Sequence, residues 1–212
     1  MRELIKSFVE TLAGELPAPV YEFGSYQVAG QEGFADLRIF FPGKKYVGCD
    51  MREGKGVDLV LNLHEIDLPD SVAGTVLILD TLEHVEFCRK AMSEVYRILM
   101  PGGMVVASSV MKFQIHDFPH DYWRFTPEGF KSLLREFSYS SVDSVGEAEF
   151  PHTVVGVGVK GDVPEERIRS FADKMAKWKQ AVSEVEKPSP VKEGIRILLP
   201  PFLLNFYRRM KG

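Results

Sequence analysis

An α/β fold with a mostly parallel sheet and helices on both faces is the architecture this sequence predicts. Short apolar runs alternate with stretches of helical periodicity, the pattern of strands joined by crossover helices. Near its end the chain carries two strand-like segments, 141–145 and 153–160, too close together for a crossover helix, so this last pair must be antiparallel. At 212 residues and 45% hydrophobic content the chain is long and apolar enough for one domain with a substantial core.

The elements follow in order. Leu4, Ile5, Phe8, Val9 and Leu12 share one helical face, and Gly14 and Pro17 end that helix. Residues 19–24 (PVYEFG) read as a buried strand closed by a glycine turn. YVGCD (46–50), VDLVLNL (57–63) and TVLILD (75–80) are the next strands. Val85, Cys88, Met92, Val95, Tyr96 and Leu99 have helical spacing, stopped by Pro101-Gly102-Gly103 before the strand MVVAS (104–108). Thr126-Pro127 reads as an N-cap with proline at the first helical position, opening a helix with Phe130, Leu133, Leu134 and Phe137 on one face. After the antiparallel pair, Pro164 starts a helix whose inward face is Ile168, Phe171, Ala172, Met175, Val182 and Val185; Lys187-Pro188-Ser189-Pro190 is a linker.

Charge and composition narrow the function classes. The net charge is −4, which gives no reason to expect a nucleic-acid partner. Two cysteines, Cys49 and Cys88, lack metal-ligand spacing and suit a reducing, cytoplasmic setting. The N-terminus lacks the unbroken apolar stretch of a signal peptide, and no run approaches the ~18 apolar residues of a membrane span. Residues 195–212 carry +4 against −8 for the rest. Their apolar residues suit docking onto the domain or a second copy in a homo-oligomer. Their basic residues suit a peripheral membrane contact.

Four segments carry candidate chemistry. Glu22-Phe23-Gly24-Ser25 sets a glycine directly after a strand, where the backbone can turn tightly and approach a ligand; such glycines also serve as plain turns. Asp50 ends the next strand, at a spacing that suits a carboxylate accepting hydrogen bonds from ribose hydroxyls; alone it could be a surface acid. The third segment is LDTLEHVEFCRKAMSEVYRILMPGG (79–103) and the fourth is PHDYWRFTPEGF (119–130). The fourth sets aromatic rings beside ionisable groups in a loop, where Trp123 and Phe125 could equally anchor the loop in the core.

The third and fourth strings, with the strand-end Gly24 and Asp50, resemble the class I S-adenosylmethionine (SAM)-dependent methyltransferase family, in a type 11-like form with a divergent glycine motif. The resemblance covers roughly residues 19–160. It implies a Rossmann-like, seven-stranded sheet with an antiparallel last strand, and SAM as cofactor at the carboxyl edge. It further implies a catalytic domain of residues 1–160 and a helical extension with a basic apolar tail over 161–212. Carried over by motif, Gly24 and Ser25 border the methionine part of the cofactor, with Glu22 before them a further cofactor-binding candidate, Asp50 holds the ribose, and Met51 lies against the adenine. Asn62, Leu63 and His64 meet the adenine edge, and Asp80 and Thr81 lie beneath the methyl group. The glycine motif departs from the family form, with Ser25-Tyr26-Gln27-Val28 after Gly24, so Tyr26 and Val28 are expected to crowd the loop.

His116, His120, Asp121 and Tyr122 are the candidates for proton transfer and acceptor contact. No metal is expected from the sequence, since His116 and His120 lack an evident third ligand. The acceptor reads as a small molecule or glycan-type compound, methylated by in-line displacement. Two other classes stay open: a SAM-binding protein without transferase activity, and a membrane-surface interaction protein.

Overall fold

The computed structural model describes residues 2–30, 32–117 and 119–186. Seven strands form one sheet: β1 (Val20–Phe23), β2 (Tyr46–Asp50), β3 (Leu59–Val60), β4 (Ala73–Leu79), β5 (Leu99–Val110), β6 (Tyr139–Gly146) and β7 (Pro151–Val159), in spatial order 3-2-1-4-5-7-6. β3, β2, β1, β4 and β5 pair in parallel, and β7 runs antiparallel between β5 and β6. The order reverses at β1 and β4, so the switch point lies between the two central strands. Ligands of open α/β sheets bind at the carboxyl ends there.

Helices α1 (Glu3–Leu12), α2 (Cys88–Ile98), α3 (Pro127–Leu133) and α4 (Glu165–Glu186) cover both faces. On one face α2 and α3 pack Cys88, Ala91, Met92, Val95, Ile98, Phe130 and Leu134 against Tyr21, Phe23, Cys49 and Ile78. On the other, Ile5, Phe8, Val9 and Leu12 of α1 meet Phe171, Met175 and Trp178 of α4. The α3 start is as expected: Thr126 Oγ1 accepts the Gly129 N–H at 3.0 Å, with Pro127 at the first helical position.

Three expectations are corrected by packing. The third strand shrinks to two exposed edge residues, because it lacks a neighbour on its outer side. The Pro101-Gly102-Gly103 stop lies inside β5, which resumes pairing with β4 after an irregularity between Ala73 and Thr75. On α4, Ala172 and Val185 face solvent, and Trp178 is buried instead, its ring 4.7 Å from that of Phe8. Residues 187–212, which include the linker and the basic tail, lie outside the described residues.

Candidate functional site

The carboxyl ends of β1, β2, β4 and β5 open along one edge. At the first, Gly24 takes a φ of +88°, and a Cβ there would lie 2.2 Å from Thr81 Oγ1. Only glycine lets the β1 and β4 ends approach this closely. The Gly24 and Ser25 N–H groups both donate to Cys49 O, at 2.9 and 3.1 Å, locking the turn to the end of β2. Tyr26 does not crowd this turn. Its ring lies over Gly54, where a Cβ would be 2.3 Å away, and carries the Arg52 guanidinium at 4.5 Å. Val28 is exposed.

Asp50 is buried at the end of β2. Its Oδ1 accepts from Arg52 N at 3.0 Å and Arg52 Nε at 3.3 Å, and its Oδ2 from Tyr26 N at 3.4 Å. Met51 beside it is 67% exposed, an apolar surface open to a ligand. Asn62 Oδ1 accepts His64 N at 2.9 Å and contacts His64 Nδ1 at 3.0 Å, while His64 Nε2 accepts from Phe87 N at 3.1 Å. Leu63 is buried in the α2/α3 core, so its side chain is committed to packing and only its backbone is available at the edge.

Asp80 adopts a φ of +46°, uncommon outside glycine. Its carboxylate accepts from Ser108 Oγ at 2.8 Å and from both Arg2 Nε and Nη2, at 2.8 and 2.6 Å. Arg2 also donates to Thr153 Oγ1. Arg2 has no motif in the sequence; its partners are distant in the chain and meet it only because α1 packs beneath β4 and β7.

Glu22 is the residue whose assignment changes most. Its side chain points into the α1 face, not to the edge, and accepts Tyr46 OH at 2.6 Å. Burial raises its pKa to about 7, against the lowering effects of Tyr46 and nearby Arg38. Arg38 in turn donates to Asp58 at 2.7 Å and Gly56 O at 3.1 Å. Glu22 thus belongs to a buried polar network under β1 and β2, with its carboxylate committed to Tyr46.

The loop after β5 forms the other half of the edge. Tyr122 and Trp123 N–H donate to Glu83 O at 2.8 and 3.2 Å, and Trp123 Nε1 donates to Val85 O at 3.0 Å. The loop is therefore fastened to the segment after β4, with Tyr122 and Trp123 41% and 45% exposed. The Asp121 side chain, 1% exposed, is held by Arg124 at 2.5 and 2.7 Å and by His116 N at 2.8 Å. The Arg124 pair drives its pKa well below the usual carboxylate range. Such a group is a poor proton acceptor, and its geometry makes it a brace for the loop. His120 Nδ1 lies 3.2 Å from Tyr122 OH, and its carbonyl accepts from His84 Nδ1 at 2.8 Å. Glu83, missed by the sequence reading, is buried with Oε2 accepting Ser109 Oγ at 2.7 Å. Burial, then the Asp80 charge, raises its pKa to about 7.

Residues 42–107 match the family described as Methyltransferase domain. No curated protein matches the sequence. Among solved structures, a SAM-dependent methyltransferase from Archaeoglobus fulgidus is similar at TM-score 0.58 and 16% identity, covering 76% of this chain and 95% of that one. The Burkholderia thailandensis 1,6-didemethyltoxoflavin-N1-methyltransferase, solved with bound 1,6-didemethyltoxoflavin and S-adenosylhomocysteine, is similar at TM-score 0.56 and 19% identity, covering 75% of this chain and 79% of that one. The edge residues fit a nucleoside-bearing cofactor: a buried acid at the β2 end, an exposed methionine beside it, and a glycine turn that brings backbone close to Thr81. The described residues contain no helix long and apolar enough to cross a membrane.

Proposed function

We propose that this chain is a class I SAM-dependent methyltransferase, a reading supported by the matched segment 42–107 and by the fold, and that it methylates a hydroxyl of a small-molecule or glycan-type acceptor bound against the loop after β5. The observation that carries the reading is the exposed Tyr122 ring beside the His120 imidazole, with the exposed Trp123 ring next in the same loop, on the same sheet edge as Asp50 and Asp80. Rings of this kind suit the flat face of a sugar or heterocycle, and polar groups beside them suit its hydroxyls.

S-adenosylmethionine supplies a methyl group on a sulfonium, already activated and leaving a neutral thioether. The protein's task is then mainly alignment. Asp50 accepts the ribose hydroxyls in exchange for the Arg52 side chain, which is exposed and free to swing away. Met51 offers the apolar surface for the base. Gly24, Ser25, Asp80 and Thr81 border the amino-acid end. Asn62 and His64 border the adenine edge, joined there by the Leu63 backbone. His120 takes the acceptor's proton, with Tyr122 OH fixing its ring; Asp121 and Arg124 hold the loop in shape. Residues 1–160 are the catalytic unit in this reading, with 161–212 an extension whose first helix is tied into the α1 core. Buried, unpaired Cys49 and Cys88 suit a cytoplasmic setting. The tail 195–212 is read as docking on the domain or a second copy. Liposome co-sedimentation of the full chain, with and without it, tests the membrane alternative.

The Arg2–Asp80 ion pair favours a second reading, a SAM binder without transferase activity, since it occupies the carboxylate beneath the expected methyl position. Calorimetric titration with SAM and S-adenosylhomocysteine, followed by transfer of labelled methyl to hydroxylated glycans and heterocycles, separates the two. Absence of binding to either nucleoside refutes both.

A further inference from the structure

We infer that Glu83, His84 and His116 form a binding site for one divalent transition-metal ion of the zinc class, at the mouth of the acceptor half. One donor atom from each of the three lies within 4.8 Å of the other two. They come from two segments, the turn after β4 and the loop after β5, and the edge-on packing of the His84 and His116 rings, centroids 4.7 Å apart, brings the imidazoles together.

The hydrogen bonds fix what each residue presents. His84 Nδ1 lies 2.8 Å from His120 O, and a carbonyl only accepts, so Nδ1 carries the proton and Nε2 keeps its lone pair. His116 Nδ1 faces Gln114 O at 3.2 Å and Asp121 Oδ2 at 3.3 Å, both acceptors, with the same consequence. Metal-binding histidines characteristically donate their second ring N–H to a carbonyl or a carboxylate, which orients the ring and raises its basicity. Both histidines already have that arrangement here. Glu83 is oriented from behind by Ser109 Oγ, which donates to Oε2, and its carboxylate supplies the third donor. Asp121, braced by Arg124, therefore has a use that the transferase reading alone does not give it: it positions His116.

Two imidazoles and a carboxylate are the donor set of catalytic zinc sites, which keep a further position open to water or substrate. Such an ion binds at about 2.0–2.2 Å, so the three donors must draw together by roughly an ångström. His84 and His116 are both partly exposed, which gives the ion a path in. The ion's role rests on the methyltransferase reading: an acceptor hydroxyl on the open position would lose its proton more readily and attack as an alkoxide. The site itself does not depend on that reading.

The test is titration of the chelator-treated full chain with zinc(II), and with cobalt(II) as a spectroscopic probe, in the absence of nucleoside. One equivalent should bind, with visible cobalt bands of a low-coordinate nitrogen–oxygen site. His84→Ala and His116→Ala should each weaken binding at least tenfold, and His120→Ala should leave it within a few-fold. If the alanine variants do not fold, cobalt-induced shifts in the wild-type histidine NMR signals serve instead: His84 and His116 should move and His64 should not. Non-saturable zinc binding, equal affinity in the two variants, or shifts spread evenly over the histidines overturns the site. SAM titration on the same metal-free sample reports separately on the methyltransferase reading, so either can fail alone.

Discussion

The two halves of the carboxyl edge are built on opposite terms. On the β1–β2 half the strand-end carboxylate is already engaged: Asp50 holds Arg52, and Arg52 stacks on Tyr26. On the β4–β5 half the loop is pinned by the Tyr122 and Trp123 N–H groups to Glu83 O and by Trp123 Nε1 to Val85 O, while the Tyr122 and Trp123 rings stay partly exposed. A ligand entering the first half must replace contacts the protein already makes, which favours a ligand with matching groups. One entering the second meets exposed rings on a fixed frame, which tolerates more variety. Asp80 stands at the junction, with Arg2 on one side and Ser108 on the other.

The sharpest way to break this contrast is at the closest approach between the halves. Gly24→Val sets a branched side chain at φ +88° and 2.2 Å from Thr81 Oγ1. We expect a loss of about 3–5 kcal/mol in urea unfolding, as for strained, overpacked positions, and no nucleoside binding. Adding Thr81→Ala should recover only part, since the backbone angle stays unfavourable. A stable, binding Gly24→Val protein would mean the halves are not so closely joined.

The buried network under the first half is tested by pH. The Glu22 pKa is raised from 4.5 to about 7 in the folded protein, so the folded state keeps a proton that the unfolded chain releases. Its contribution is complete below about pH 4.5 and is lost as pH rises through about 7. The loss is on the order of 3 kcal/mol at ~1.4 kcal/mol per unit. Glu22→Gln should flatten the fall in stability across that window. Glu83 titrates in the same direction, so a residual slope should remain. An unchanged slope in the variant would remove Glu22 as a source of it.

Smaller effects sharpen the functional contrast. Asp50→Ala should weaken SAM at least about tenfold, as expected for charge-assisted hydrogen bonds of ~1.5–3 kcal/mol. It should also lower the melting temperature modestly, because Arg52 N and Tyr26 N lose their acceptor. Equal affinity by calorimetry would remove the ribose assignment. The smallest effect on cofactor affinity is expected at His120→Ala: SAM binding within a few-fold, with methyl transfer abolished once an acceptor is identified. Retained turnover there would return the loop to a purely structural role.

Local pattern was enough for most of the frame. Alternating apolar runs, the Thr126-Pro127 cap and the crowded last strand pair are consequences of periodicity and turn chemistry, and all appear in the folded chain. The strand-end positions of Gly24, Asp50 and Asp80 were legible for the same reason, because a strand's end is a local event. Which way a side chain points was less so. Glu22 alternates onto the α1 face, a matter of pleat direction relative to helices not yet placed, and Leu63, in the turn after the short third strand, is drawn into the core by packing. Trp178 was missed on α4 because its partners, Phe8 and Leu4 O, lie 170 and 174 residues earlier. Arg2 on Asp80, and Glu83 and His84 beside His116, are likewise meetings of distant segments. By itself the sequence determined the α/β class with its mostly parallel sheet and the antiparallel closing pair, since these follow from short-range periodicity and turns. Only the tertiary structure decided which ionisable groups on that edge face each other, because pair distances across 30 or more residues are set by how sheets and helices pack.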